Sequence, residues 1–153
     1  MPDRKLIGKE SQETSAVIQA DSIRAFAKAV GETDPVYFDR AAAQAAGFPD
    51  VVAPPTYPIA FMAEAMDPDL FIELDLYIPS IVHGEQEFEY MRPLFAGDEL
   101  RIKGRIADMW EKTGRSGTLD FVVLEANAKD TQGQPVYTSR ITLISKRAPP
   151  EEA

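Results

Sequence analysis

Residues 56–66 read Thr-Tyr-Pro-Ile-Ala-Phe-Met-Ala-Glu-Ala-Met, and Glu64 is the only charged side chain among them. Apolar residues at nearly every place, rather than on one stripe, leave a helix here no face for water. A second layer must therefore enclose it. Thr56 can cap such a helix, and Pro58 is tolerated because it falls in the first turn. The second half of the chain supplies the layer: it alternates with period two and is divided by glycine-bearing turns, the pattern of antiparallel strands. One buried helix against a curved antiparallel sheet is an α+β arrangement.

The first half reads as short elements. Ser15 to Gln19 alternates as a strand. Asp21 caps a helix whose apolar residues Ile23, Phe26, Ala27 and Val30 recur at helical spacing until Gly31. Asp39 caps a second helix through Ala41–Ala46, ended by Gly47. Glu32 to Phe38 is then a loop pinned between two helices by Pro35. In the second half, strands are expected over 82–91, 99–110, 118–129 and 136–145. A bend at Phe95-Ala-Gly97 would fold 82–91 back on 99–110, placing Glu89, Glu87 and Glu85 opposite Arg101, Lys103 and Arg105. That register puts Phe88 and Tyr90 on the opposite, apolar face.

At 153 residues the chain is expected to hold one domain, over 13–146, between flexible ends at 1–12 and 147–153. There is no cysteine and a single histidine, so neither a disulfide framework nor a metal site is expected. A net charge of −9 argues against nucleic acid as a partner, because phosphate binding draws on a basic field. No run is long and apolar enough to span a bilayer, and no apolar leader opens the chain, so the expectation is a cytoplasmic protein without membrane contact.

Four segments carry the functional signal: Gly31-Glu-Thr-Asp-Pro-Val-Tyr-Phe-Asp39, Ala53-Pro-Pro-Thr-Tyr57, His83-Gly-Glu-Gln-Glu-Phe88 and Pro93-Leu-Phe-Ala-Gly-Asp98. In this order and spacing they resemble the MaoC-like dehydratases and (R)-specific enoyl-thioester hydratases, most of all their N-terminal, FAS1-like dehydratase branch. The resemblance runs from about Glu13 to Lys146. It implies the hot-dog fold, in which a curved antiparallel sheet wraps a central helix and two units pair to form a substrate tunnel. It also implies a hydro-lyase of fatty acid metabolism: dehydration of a 3-hydroxyacyl thioester, or hydration of the enoyl product, on coenzyme A or acyl carrier protein. No other cofactor is implied.

The catalytic relatives carry Asp-x-Asn-Pro-x-His in the first segment, and their Asp and His do the acid/base work. Here those places hold Glu32 and Tyr37. Glu32 is one methylene longer than Asp and remains a possible base, whereas a phenol titrating near pH 10 does not exchange a proton readily at neutral pH. The plainer alternative is that Glu32 and Asp34 cap and solvate a loop while Tyr37 packs. His83 is the one side chain with an ordinary pKa near neutrality. Alternation puts it on the Glu85 face unless Gly84 forms a bulge that turns it round. It is either a third catalytic candidate or a structural hydrogen-bonder.

Substrate contacts are expected from Asp34, Ala53, Pro54, Thr56 and Tyr57, with Arg115 as a candidate phosphate contact. The chain then fits a subunit that holds the acyl group, as a homodimer or with a second MaoC-like chain that supplies the Asp/His pair. Two alternatives stay open. One is a hot-dog dimer that binds acyl thioesters without reaction; the other is a thioesterase in which Glu32 or Glu64 activates water.

Overall fold

The computed structural model describes residues 3–61, 68–115 and 117–147. Five strands, β1 (Thr14–Val17), β2 (Val82–Tyr90), β3 (Glu99–Gly114), β4 (Gly117–Asp130) and β5 (Pro135–Lys146), form one antiparallel sheet in the order β1-β3-β4-β5-β2. The helices are few and short: α1 (Ala20–Ala29), α2 (Arg40–Ala45) and α3 (Pro68–Glu73), with single 3-10 turns at Pro35–Tyr37, Tyr57–Phe61 and Ile78–Ser80 among the rest. The curved sheet with its few helices is the hot-dog arrangement.

The local chemistry of the first half behaves as its residues dictate. The Asp39 carboxylate accepts from the Ala42 N–H at 2.7 Å and caps α2, and Asp34 accepts from the Val36 N–H at 3.1 Å and caps the Pro35–Tyr37 turn. Helix α1 begins two residues earlier than expected, at Ala20, and its cap position, Gln19 rather than Asp21, makes no side-chain capping bond. Its buried face is Ile23 and Ala27.

The pairing of β2 departs from the sequence expectation. This strand bonds β5, at the far side of the sheet, and β3 lies between β1 and β4. The segment Pro93–Asp98 is no hairpin bend: its middle pairs with 51–53 through Ala53 N–H to Leu94 O at 2.9 Å and Ala96 N–H to Val51 O at 2.9 Å. It carries the chain across the end of the sheet, where Gly97, at φ 92°, donates to the Ile18 carbonyl. The alternation of β2 survives, because it belongs to the strand and not to its neighbour. The ion pairs are redistributed: Glu87 meets Arg140 at 3.5 Å, Arg105 meets Glu125 at 2.8 Å, and Lys103 pairs with Glu10.

Two apolar clusters fill the concave face. Ile18, Ile23, Tyr57, Leu94, Ile102 and Tyr137 anchor one, and Leu70, Leu74, Ile106, Met109 and Val122 form the other. Of the helix expected over 56–66, residues 62–66 lie outside the described residues. The part described is a tighter 3-10 helix with Tyr57 and Pro58 buried and Ala60 exposed, so enclosure on every side does not hold for that turn.

Candidate functional site

The residues of the first two motifs meet because three backbone segments are laced together. The Val52 N–H donates to the Val36 carbonyl at 3.1 Å, Val52 also bridges to Phe95, and Ala53 bonds Leu94. The loop carrying Tyr37, the Ala53-Pro54-Pro55 entry and the Pro93 segment are thus tied to one another. Between them lies a cleft of about 350 Å³, walled mainly by Phe48, Val52, Ala53, Pro55, Met91 and Leu94, with Tyr37 and Tyr90 also lining it. An apolar cavity of this size with few polar groups is the form small-ligand sites take.

Tyr37 is half-buried. Burial raises its phenol above the ordinary value, and the neighbouring Glu32 and Asp34 carboxylates raise it further. At neutral pH Tyr37 is a hydrogen-bond donor that keeps its proton. Tyr90 is likewise pushed up by burial and by Tyr137, and its hydroxyl donates to the Pro55 carbonyl at 2.8 Å. Arg92 also borders the cleft, but Asp98 holds both arms of its guanidinium at 2.7 and 3.0 Å. Its charge is committed to the turn.

Tyr37 and Ala53 line this cleft. Glu32 is half-buried beside Tyr37 and acts on it electrostatically, while the Asp34 carboxylate serves as a cap. Pro54 is buried and accepts from the Tyr57 N–H at 2.9 Å, and Thr56 is exposed. The Tyr57 ring does not face the cleft; it is a core residue, edge-on to Phe26 and Phe61 at centroid distances of 5.4 and 5.3 Å. Arg115 sits in the turn between β3 and β4 and His83 on β2, and neither borders the cleft.

A bulge does form at the second position of the His83-Gly84 pair. The register steps from His83 opposite Leu143 to Glu85 opposite Thr142, which brings His83 onto the face shared by Gln86 and Phe88. Glycine is favoured there, since an added Cβ would stand 2.6 Å from Ile144 Cδ1 and 3.2 Å from the Thr142 carbonyl oxygen. Sequence reasoning missed Phe48, Tyr90, Met91 and Leu94 as cleft residues. Tyr90 was legible as apolar-face alternation in β2; Phe48, one residue past Gly47, gave no signal.

A family model described as the FAS1-like dehydratase domain region matches residues 5–139. A UPF0336 protein of Saccharopolyspora erythraea is 36% identical over 148 residues, covering 94% of this chain and 91% of that protein. Among solved structures, the C-terminally truncated HadBC (3R-hydroxyacyl-ACP dehydratase) complex of Mycobacterium tuberculosis superposes with a TM-score of 0.74. It is 28% identical, over 86% of this chain and 90% of that one. A MaoC-like dehydratase superposes with a TM-score of 0.81 at 26% identity, over 94% of this chain and 43% of that one.

Proposed function

The chain belongs to the FAS1-like dehydratase family, and from that membership we propose that it is the acyl-holding subunit of a 3-hydroxyacyl-thioester dehydratase or enoyl-thioester hydratase. The observation that carries the reading is the cleft itself: an apolar chamber of about 350 Å³ whose one polar side chain from the Glu32–Tyr37 segment is a phenol that keeps its proton. Dehydration requires a base at the α-carbon, an acid at the hydroxyl, and donors for the enolate-like oxygen. Tyr37 can donate to an oxygen but cannot take a proton and return it near pH 7. Glu32 and Asp34 lie near this phenol, but neither lines the cleft.

The acid/base pair comes, on this account, from a second hot-dog chain carrying Asp-x-Asn-Pro-x-His. Support comes from the resemblance to one chain of a dehydratase complex, HadBC, and from the edge of β2 that no strand covers among the described residues. The thioester is carried on coenzyme A or acyl carrier protein, and no further cofactor enters the chemistry.

Calorimetric titration with butyryl-coenzyme A and with free coenzyme A tests the acyl-holding role. Burial of the acyl carbons in the cleft should make the acylated ligand bind about tenfold tighter or more. Equal affinities would contradict the role.

A further inference from the structure

Strand β2 is the outermost strand on its side of the sheet. It bonds β5 along one edge, and among the described residues no strand covers the other. An uncovered edge of nine residues is a template for another strand. Exposed apolar side chains flank it: Val82 within it, Ile78 before it and Met91 after it.

The side chains along this edge are not neutral. Glu85, Glu87 and Glu89 occupy alternate places on the outer face of the sheet. Glu87 reaches Arg140 at 3.5 Å, whereas Glu85 and Glu89 register with Thr142 and Thr138 and have no cationic partner among the described residues. Resting on the reading of this chain as one half of a pair, we propose that this carboxylate row selects the partner. The β2 edge rejects a second copy of this chain and accepts a hot-dog chain whose matching strand carries Lys or Arg at alternate positions.

The geometry of antiparallel pairing works against the self-pair. Residues directly opposite across two strands share a face. If two copies join β2 to β2 with both core faces on one side, outer-face positions can only meet outer-face positions. Centring the pair on Glu87 sets Glu87 against its own copy and Glu85 against Glu89 of the second copy. Centring it on Gln86 sets Glu85 against Glu87, and centring it on Phe88 sets Glu87 against Glu89. Each of these three central registers juxtaposes carboxylates, and like charges directly opposite are destabilising. The net charge of −9 on each copy adds long-range repulsion. On the core face, His83, Gln86, Phe88 and Tyr90 include no carboxylate, so the like-charge contacts fall on the outer row.

Sedimentation equilibrium tests this with the chain itself as its own complement. Wild type, the E85K/E89K variant and an equimolar mixture are compared at low salt; both variants used keep the Glu87–Arg140 pair. The mixture should form dimers about tenfold tighter than wild type with itself, with the advantage shrinking as salt rises. E85Q/E89Q should self-associate more tightly than wild type, and circular dichroism confirms that each variant is folded. Wild-type self-association as tight as the mixture, a mixture that stays monomeric, or no gain in E85Q/E89Q would overturn the proposal. No acyl thioester is present in these measurements, so a chain that fails to bind butyryl-coenzyme A removes the functional reading and leaves this result standing, and the reverse also holds.

Discussion

The Tyr90 hydroxyl donates to the Pro55 carbonyl across 2.8 Å, so the last residue of β2 holds the segment that enters the Tyr57–Phe61 turn. Pro54 and Pro55 have no N–H with which to fix themselves, and this acceptor bond is one of the few ways to hold them. Tyr90→Phe should cost about 1 kcal/mol of stability, read as a fall of a few degrees in melting temperature. It should also weaken butyryl-coenzyme A binding, because one wall of the cleft loosens. A variant with unchanged affinity would show that the bond does not shape the cleft.

Tyr37 is expected to act as a donor that does not titrate in the working range. Tyr37→Phe should reduce acyl-thioester affinity by about three- to tenfold, with a ratio to wild type that stays flat from about pH 6 to 9. The folded-state pKa is raised by burial and then by Glu32 and Asp34. The folded chain therefore binds this proton more tightly, and the associated stability is intact below the unfolded value near 10. It is lost as pH rises through the folded value. Urea midpoints measured above about pH 10 should fall less steeply in Tyr37→Phe than in wild type.

Restoring the relatives' pair is a gain-of-function test. E32D/Y37H writes the missing Asp and His into the Glu32–Tyr37 segment, and crotonyl-coenzyme A hydration by the variant alone should rise at least about tenfold over wild type. A variant that binds the ligand yet shows no rise would mean that the loop no longer presents these positions to the acyl group.

Gly84→Ala should destabilise through crowding, since the new Cβ lies 2.6 Å from Ile144 Cδ1 and 3.2 Å from a backbone oxygen that cannot retreat. The expected cost is about 1–2 kcal/mol, or roughly 3–6 °C in melting temperature. Pairing it with Ile144→Val removes the nearer clash and should recover part of the loss. No recovery would place the strain in the bulge backbone instead.

Glu125 predicts the acid limit. Burial alone would raise its carboxyl, but hydrogen bonds from Arg105 and Arg140, joined by Asn127, reverse that and hold it at about 2. A depressed folded pKa gives stability that is full above the unfolded value near 4.5 and disappears as pH falls toward about 2. Glu125→Gln should lose about 2 kcal/mol at pH 7. Its stability should then change less than wild type between about pH 4.5 and 2.

Much of this was legible in the residues. The Asp39 cap, the Pro35 turn, the two long strands ending near Asp130 and Lys146, and the alternation of β2 all follow from local rules that neighbouring chain does not override. Strand order was not legible. Glu85, Glu87 and Glu89 match Arg101, Lys103 and Arg105 by charge as well as they match anything, and only the crossing of Pro93–Asp98 over 51–53 decides that β2 lies beside β5. The cleft was half visible. Tyr37 and Ala53 stand in motifs, whereas Phe48 and Met91 reach it through tertiary lacing that no period records. Tyr57 misled because a motif position and a core position look alike in a sequence; its neighbours Phe26 and Phe61 settle the matter.

Hydration of crotonyl-coenzyme A, followed by the loss of enoyl-thioester absorbance, separates an acyl-holding subunit from a self-sufficient hydratase. It is measured for the purified chain alone and after mixing with a MaoC-like chain that carries Asp-x-Asn-Pro-x-His. The account predicts background turnover alone and sustained turnover in the mixture, reduced when Tyr37 is replaced by Phe. Full turnover by the chain alone would contradict it.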